Sequence, residues 1–194
     1  MDYNIIGQTV PVVEMTLNKG ESVYTQSGGM AYQTDGIDMN TNARGGVMKS
    51  LGRMFAGESI FMANYTANKD GAKVAFASTV PGSVIPIDLS QNPNGFILQK
   101  ATGNGKVFLE VDGDAIEKEL APGEVLKVDT GNVVAFEPSV SYEIERIKGL
   151  GNIFLGGEGL FLTKLVGPGR IILQSQNIQD FAGRLVPYMP TKSN

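Results

Sequence analysis

The chain has 194 residues, with 16 Lys+Arg against 20 Asp+Glu, no His and no Cys. Without Cys there are no disulfides or thiolate metal sites, and without His the commonest general base and metal ligand are missing. The net charge of −4 opposes a phosphate backbone, and no apolar run approaches the length of a membrane-spanning helix.

The 25 Gly and 9 Pro are scattered, and they punctuate short apolar runs along the whole chain. That rhythm predicts many short strands joined by tight turns. Val10–Leu17 reads as a strand, with Val13, Met15 and Leu17 on one face and Glu14 and Thr16 on the other. Lys19-Gly20-Glu21 is a turn, followed by short strands at Val23–Thr25, Met30–Gln33 and Ile37–Thr41. Gly45-Gly46 opens a helical pattern in which Val47, Met48, Leu51, Met54 and Phe55 share a face. The segment Val47–Phe55 is read as a short helix capping the open end of a β-domain, with a partner- or membrane-binding face as the alternative.

Ile60–Thr66 and Val74–Ser78 are expected to form a hairpin around Asn68-Lys69-Asp70-Gly71. Pro86 within Val84–Leu89 marks an edge strand or a bulge. Phe96–Ala101 is a further strand. Val107–Val111 and Ala115–Leu120 flank Asp112-Gly113-Asp114, which reads as a hairpin tip. Leu126–Val128, Val133–Phe136 and Ser141–Ile147 continue the strand pattern. Ile178, Phe181, Ala182 and Leu185 recur at helical spacing behind Asn177, an N-cap type, so a short helix is expected to end before Pro187.

A phrase recurs within this order. Gly52 to Met62 (GRMFAGESIFM) is echoed by Gly151 to Leu162 (GNIFLGGEGLFL). Leu17-Asn18-Lys19-Gly20-Glu21 is echoed by Leu120-Ala121-Pro122-Gly123-Glu124, and Val74–Ser78 by Ile171–Ser175. The separations are 103 at Leu17/Leu120, 100 at Glu58/Glu158 and 97 at Val74/Ile171. Three blocks in one order at nearly one spacing indicate a tandem duplication, with residues 10–100 as the first β-repeat and 103–186 as the second. The two are expected to share a single core.

No motif carries a recognisable chemistry. Glu58 and Glu158 occupy matching places, where two carboxylates would suit acid–base work or a hard cation. Nothing else in either phrase supplies partners, so each is read as a solvated residue beginning a strand. Gly103-Asn104-Gly105, Gly149-Leu150-Gly151 and Gly167-Pro168-Gly169 complete neither a dinucleotide fingerprint nor a phosphate loop. Lys49-Ser50 is the one Ser–Lys pair weighed as a nucleophile, and adjacency places it on the surface. No catalytic, cofactor-binding or metal-binding residue is assigned.

Lys19-Gly20-Glu21-Ser22-Val23, the stretch from Gly46 to Gly57 with its Gly-Glu-Ser ending, Thr79-Val80-Pro81-Gly82, Gly156 to Phe161 and Gly167-Pro168-Gly169 together resemble a known family. It comprises bacterial and archaeal proteins related to the mitochondrial-biogenesis proteins of the altered-inheritance-of-mitochondria type, with a domain like the tryptophan RNA-binding attenuator protein. The resemblance covers about Val10 to Leu185 in turn-and-strand signatures. It implies an all-β, internally duplicated double-stranded β-helix or β-sandwich with one or two short helices, and no established enzymatic activity. The attenuator's basic RNA contacts have no counterpart in this acidic chain. The expectation is a non-enzymatic structural or protein-interaction module, cytoplasmic and homo-oligomeric, with no cofactor and no nucleic-acid partner. Peripheral membrane association is left open. A small-molecule-binding β-domain is the alternative, and an attenuator-like RNA-binding protein ranks third.

Overall fold

A computed structural model describes residues 1–26, 29–42, 62–89, 105–146 and 161–189. The chain divides into two compact units, Met1–Thr79 and Val80–Asn194. The first holds β1 (Asp2–Ile6), β2 (Val12–Leu17), β3 (Ser22–Gln26), β4 (Met30–Gln33), β5 (Ile37–Asn42), β6 (Met62–Ala67) and β7 (Ala72–Ala77). The second holds β8 (Gly82–Asp88), β9 (Lys106–Asp112), β10 (Ala115–Leu120), β11 (Val125–Asp129), β12 (Val133–Phe136), β13 (Ser141–Arg146), β14 (Phe161–Val166), β15 (Gly169–Gln174) and the helix α1 (Ile178–Leu185).

The protein is mostly β, in several antiparallel sheets. In the first unit the sheet orders are β1-β2-β7-β4 and β3-β6-β5. In the second they are β10-β15-β12 and β11-β14-β13, with β8-β9 as a separate pair. Residue register shows how closely one unit repeats the other. Val13 lies opposite Phe76 as Ile116 lies opposite Leu173, and Ser22 lies opposite Thr66 as Val125 lies opposite Val166. Even an irregularity recurs: β4 skips a residue between Met30 and Tyr32 along β7, and β12 skips one between Val133 and Ala135 along β15. A bulge is specified by its own local sequence and partners, so a matching bulge is a strong mark of duplication.

The turn after each unit's first repeated strand is also copied. Gly20 (φ +87°) and Gly123 (φ +77°) adopt the left-handed conformation that glycine reaches without steric cost. The Glu21 carboxylate accepts from the Asn18 N–H at 2.8 Å, and the Glu124 carboxylate accepts from the Ala121 N–H at 2.8 Å. Each turn then bonds through the following glutamate's backbone to a partner strand end: Ala67 N–H donates to Glu21 O and Gly167 N–H to Glu124 O. The repeated Lys-Gly-Glu and Pro-Gly-Glu phrases therefore encode one turn, made twice.

Alternation in β2 puts Val13, Met15 and Leu17 in the core, as the pattern predicts. They share the first unit's buried set with Ala63, Tyr65, Ala67 and Val74, and Tyr65 meets Phe76 edge-on at 5.2 Å. In the second unit Leu120, Phe136, Val140, Leu165, Ile171 and Leu173 form one cluster drawn from both three-stranded sheets. Ile85, Ile87, Leu89 and Val111 form another with Ala135 and Ile172. The β8-β9 pair thus packs its apolar side on the opposite face of β10-β15-β12.

Two expected hairpins are corrected. β6 and β7 belong to different sheets, so Asn68-Lys69-Asp70-Gly71 is a corner from one sheet to the other and not a hairpin loop. Asp112-Gly113-Asp114 is likewise a corner, because β9 pairs with β8 and β10 pairs with β15. Gly113 takes φ +70° there, and its N–H donates to Pro81 O at 3.0 Å. The physical reason is burial: turned this way, β9 adds Val107, Leu109 and Val111 to the cluster around Ile172. Pro86 lies in β8, whose register with β9 runs unbroken from Gly82 to Asp88. That pair has two strands, so β8 is an edge strand and tolerates the missing N–H.

Candidate functional site

Glu58, Glu158, Lys49-Ser50, Val47–Phe55, the apolar stretch Ile153–Leu155 at the equivalent place in the second repeat, and the strand expected at Phe96–Ala101 all lie outside the described residues. Among the described residues, no group of three or more Asp or Glu is arranged to hold a metal ion. The charged side chains that do meet are paired across strands. Glu14 accepts from Lys73 Nζ at 2.7 Å and from the Tyr32 hydroxyl at 2.7 Å. The Lys73 and Tyr32 bonds hold the Glu14 carboxyl below the usual carboxylate range, and the same contact with Glu14 pushes the Tyr32 hydroxyl up. The second unit places an Arg170–Glu117 ion pair at the same positions, 97 and 103 residues on. Glu145, held low chiefly by Lys127 at 2.6 Å, belongs to a ladder with Lys164 and Glu143. Carboxylates committed to neighbouring cations in this way support strands and offer no poised acid or base.

The feature that stands out is the C-terminal helix. Its start is fixed from several sides. Asn177 is the N-cap, its side chain accepting from the Gln179 N–H at 2.8 Å as the sequence predicts. Asp112, in the corner before β10, accepts from the Ile178 N–H at 2.8 Å. Ser175 N–H donates to Asp114 O, and the Ser175 hydroxyl accepts from the Asp114 N–H at 2.8 Å. Gln174 reaches the same region, donating to Gly131 O at 2.8 Å and accepting from the Asp112 N–H at 3.0 Å.

Beyond that anchor, no residue of α1 is buried. Ile178, Phe181 and Leu185 line one face and are 40%, 46% and 41% exposed. Val186, Tyr188 and Met189 continue the apolar surface past the helix end. The helix is thus held firmly at its start and carries an exposed apolar stripe. Helical spacing was legible in the sequence. Exposure was not, because an amphipathic stripe looks the same whether it faces its own core or a partner.

Among the described residues, the second feature is an open sheet edge. Strand β10 forms one edge of β10-β15-β12, and Ile116, Glu117, Lys118 and Glu119 are all exposed along it. Its counterpart β2 is sheltered by β1. No local pattern in the sequence signals this, since the hairpin expected at Asp112-Gly113-Asp114 would have covered that edge with β9.

These elements describe a duplicated antiparallel β-protein with an exposed apolar helix face. Comparison with known proteins agrees on the architecture. The family model described as mitochondrial biogenesis AIM24 matches twice, at residues 3–94 and 92–176, and the chain belongs to that family. An uncharacterised protein of Streptococcus pyogenes serotype M6 is 31% identical over 222 residues, covering 95% of this chain and 89% of that protein. A crystal structure of a Streptococcus pyogenes protein matches with a TM-score of 0.78 at 28% identity, covering 97% of this chain and 99% of that one. Neither relative's description names an activity, substrate or partner.

Proposed function

We propose that the protein is a non-enzymatic structural or protein-interaction module that works as a homo-oligomer, each unit built as a β-sandwich of the double-stranded β-helix kind. The observation that carries this reading is α1: a helix anchored through Asp112 and Asn177, with Ile178, Phe181 and Leu185 left uncovered. Burying a large apolar side chain contributes about 1.5–3 kcal/mol, so a half-exposed stripe of this kind retains a real drive to associate. The absence of His and Cys from the sequence, and carboxylates engaged with cations or turn amides, support a role other than catalysis. An acidic chain supports protein partners over nucleic acid.

Multi-angle light scattering over a range of concentrations tests the proposal. The expected result is a mass above that of one chain that falls to one chain in Phe181→Asp or Leu185→Asp. Both positions are exposed, so folding is expected to persist, checked by circular dichroism. A one-chain mass for the unaltered protein at every concentration rejects the oligomer.

A further inference from the structure

The two units differ at one edge, and the difference defines a place for another chain. In the first unit β1 pairs along β2, with Tyr3 opposite Met15, Asn4 opposite Glu14 and Ile5 opposite Val13. Shifted by the repeat distance of 103, β1 maps onto the start of β9. But β9 pairs with β8, and among the described residues β10 has a strand on one side only, β15. Residues 116–119 are exposed in succession, whereas Val13 and Met15, the counterparts of Ile116 and Lys118, are buried. We propose that the β10 edge accepts an added strand from a partner protein, an extended segment carrying Lys or Arg at alternate positions.

The chemistry of the edge selects that partner. An added strand gains its main affinity from backbone hydrogen bonds, and side-chain pairs set its specificity. At the register seen for β1, the added residues fall opposite Glu119, Lys118, Glu117 and Ile116. Opposite charges across a strand pair stabilise it and like charges oppose it. The two glutamates share a face with Arg170, which pairs with Glu117 from the β15 side and lies opposite Glu119. On the open side each keeps a carboxylate oxygen for a cation of the partner, which also needs an apolar residue opposite Ile116.

A second copy fits poorly. Its own β1 would set Asp2 opposite Glu119. Two β10 strands pairing antiparallel about a twofold must have that axis normal to the sheet, so mates share a face. An axis at Glu117 sets Glu117 against itself. One at Lys118 sets Lys118 against itself and Glu117 against Glu119, and one at Glu119 sets Glu119 against itself, while one at Ile116 opposes no like charges but pairs only Ala115 to Glu117 of the strand. Charged edges of this kind are a known guard against self-pairing. The proposal deepens the interaction-module reading but uses a different surface from α1.

The test uses the full chain and two fluorescent peptides patterned on β1, Ser-Lys-Tyr-Lys-Ile-Ile-Gly and its analogue with both Lys replaced by Glu. Fluorescence anisotropy at low salt is expected to show the basic peptide binding roughly tenfold more tightly, from two charge pairs changing sign. Amide exchange is expected to slow at Ile116–Glu119 when the basic peptide is added. Glu119→Lys is expected to shrink or reverse the preference, with Glu119→Gln between the two, and both retain the unaltered circular dichroism. Equal affinities, no binding of either peptide, or protection confined to another strand would overturn the proposal. So would β10 protection that rises with protein concentration in the absence of peptide, which would assign the edge to a second copy. Failure here leaves the light-scattering result for α1 standing, so the two readings fail separately.

Discussion

The unit Met1–Thr79 and the unit Val80–Asn194 repeat one another down to register, bulge and turn, yet they finish their first sheet differently. On the outward face of the first unit, Ala75 lies beneath Glu14, Lys73 and Tyr32, a polar cover made by the sheet's own side chains. The same position in the second unit is Ile172, opposite Glu117 on β10 and Ala135 on β12 and covered by the β8-β9 pair. Both faces carry an ion pair at matching positions, Glu14–Lys73 and Glu117–Arg170. The first is completed by the Tyr32 phenol, and the second, with Ala135 in that place, by a hairpin. What two copies hold in common is what folding needs, and what they hold apart is where each has been adapted. The shared elements are core alternation and the Gly-Glu turn. The unshared ones are the hairpin cover and the open edge beside it.

The sharpest way to break that comparison is at Ile172. It is fully buried at the centre of the hairpin cluster. Ile172→Ala gives the second unit the residue the first already has at Ala75, but with Ala135 where the first has the Tyr32 phenol. The expected loss is about 2–5 kcal/mol of stability, by equilibrium urea denaturation, from lost burial and the cavity left behind. Amide exchange should speed first in β8 and β9. A loss within error, or exchange unchanged in those strands, would mean the hairpin is not held by this face.

A smaller effect sharpens the likeness instead. Gly20 and Gly123 both hold positive φ, and a Cβ placed at either meets no atom within 4 Å. Gly20→Ala and Gly123→Ala therefore test backbone conformation alone, free of packing. Each is expected to cost about 1–2 kcal/mol, and the two should agree within measurement error. A clear difference between them would show that the two turns are alike in outline only.

Much of this duplicated frame was legible in the sequence. The separations of 103, 100 and 97 between repeated blocks reappear as offsets between paired residues: Val13/Phe76 becomes Ile116/Leu173 and Ser22/Thr66 becomes Val125/Val166. The alternation of Val13, Met15 and Leu17 and the Asn177 cap were equally readable, because both are local patterns. Strand partners were not. Asp112-Gly113-Asp114 says that the chain turns, but which strand β9 joins depends on what covers Ile172, 60 residues further on. The same non-locality hid the β10 edge and the exposure of Phe181. An edge is open only because another strand went elsewhere.

The least effect concerns acid, and it again sets one unit against the other. Among the described residues of the first unit three carboxyls sit below their usual range: Glu14 through Lys73 and Tyr32, Glu21 through the Asn18 N–H and the N-terminal ammonium, and Asp35 through Lys69. In the second unit, among the described residues, Glu145 is so held, through Lys127. A carboxyl depressed on folding contributes stability that is fully present above its unfolded value and is lost as pH falls through the folded one. Each of these contributions is therefore intact at neutral pH and disappears on acidification below the usual carboxylate range. All four groups are solvent-screened, so each effect is small and weakens further with salt. Their number still predicts an order. Amide exchange followed from pH 7 downwards, corrected for intrinsic rates, should show protection failing in β2, β3 and β7 before β11, β14 and β15. Added salt at neutral pH should shift the same strands in the same order, since it screens the cation contacts that hold Glu14 and Asp35 low. Simultaneous loss in both units, or earlier loss in the second, would show that acid stability is set by the two cores and not by these surface pairs.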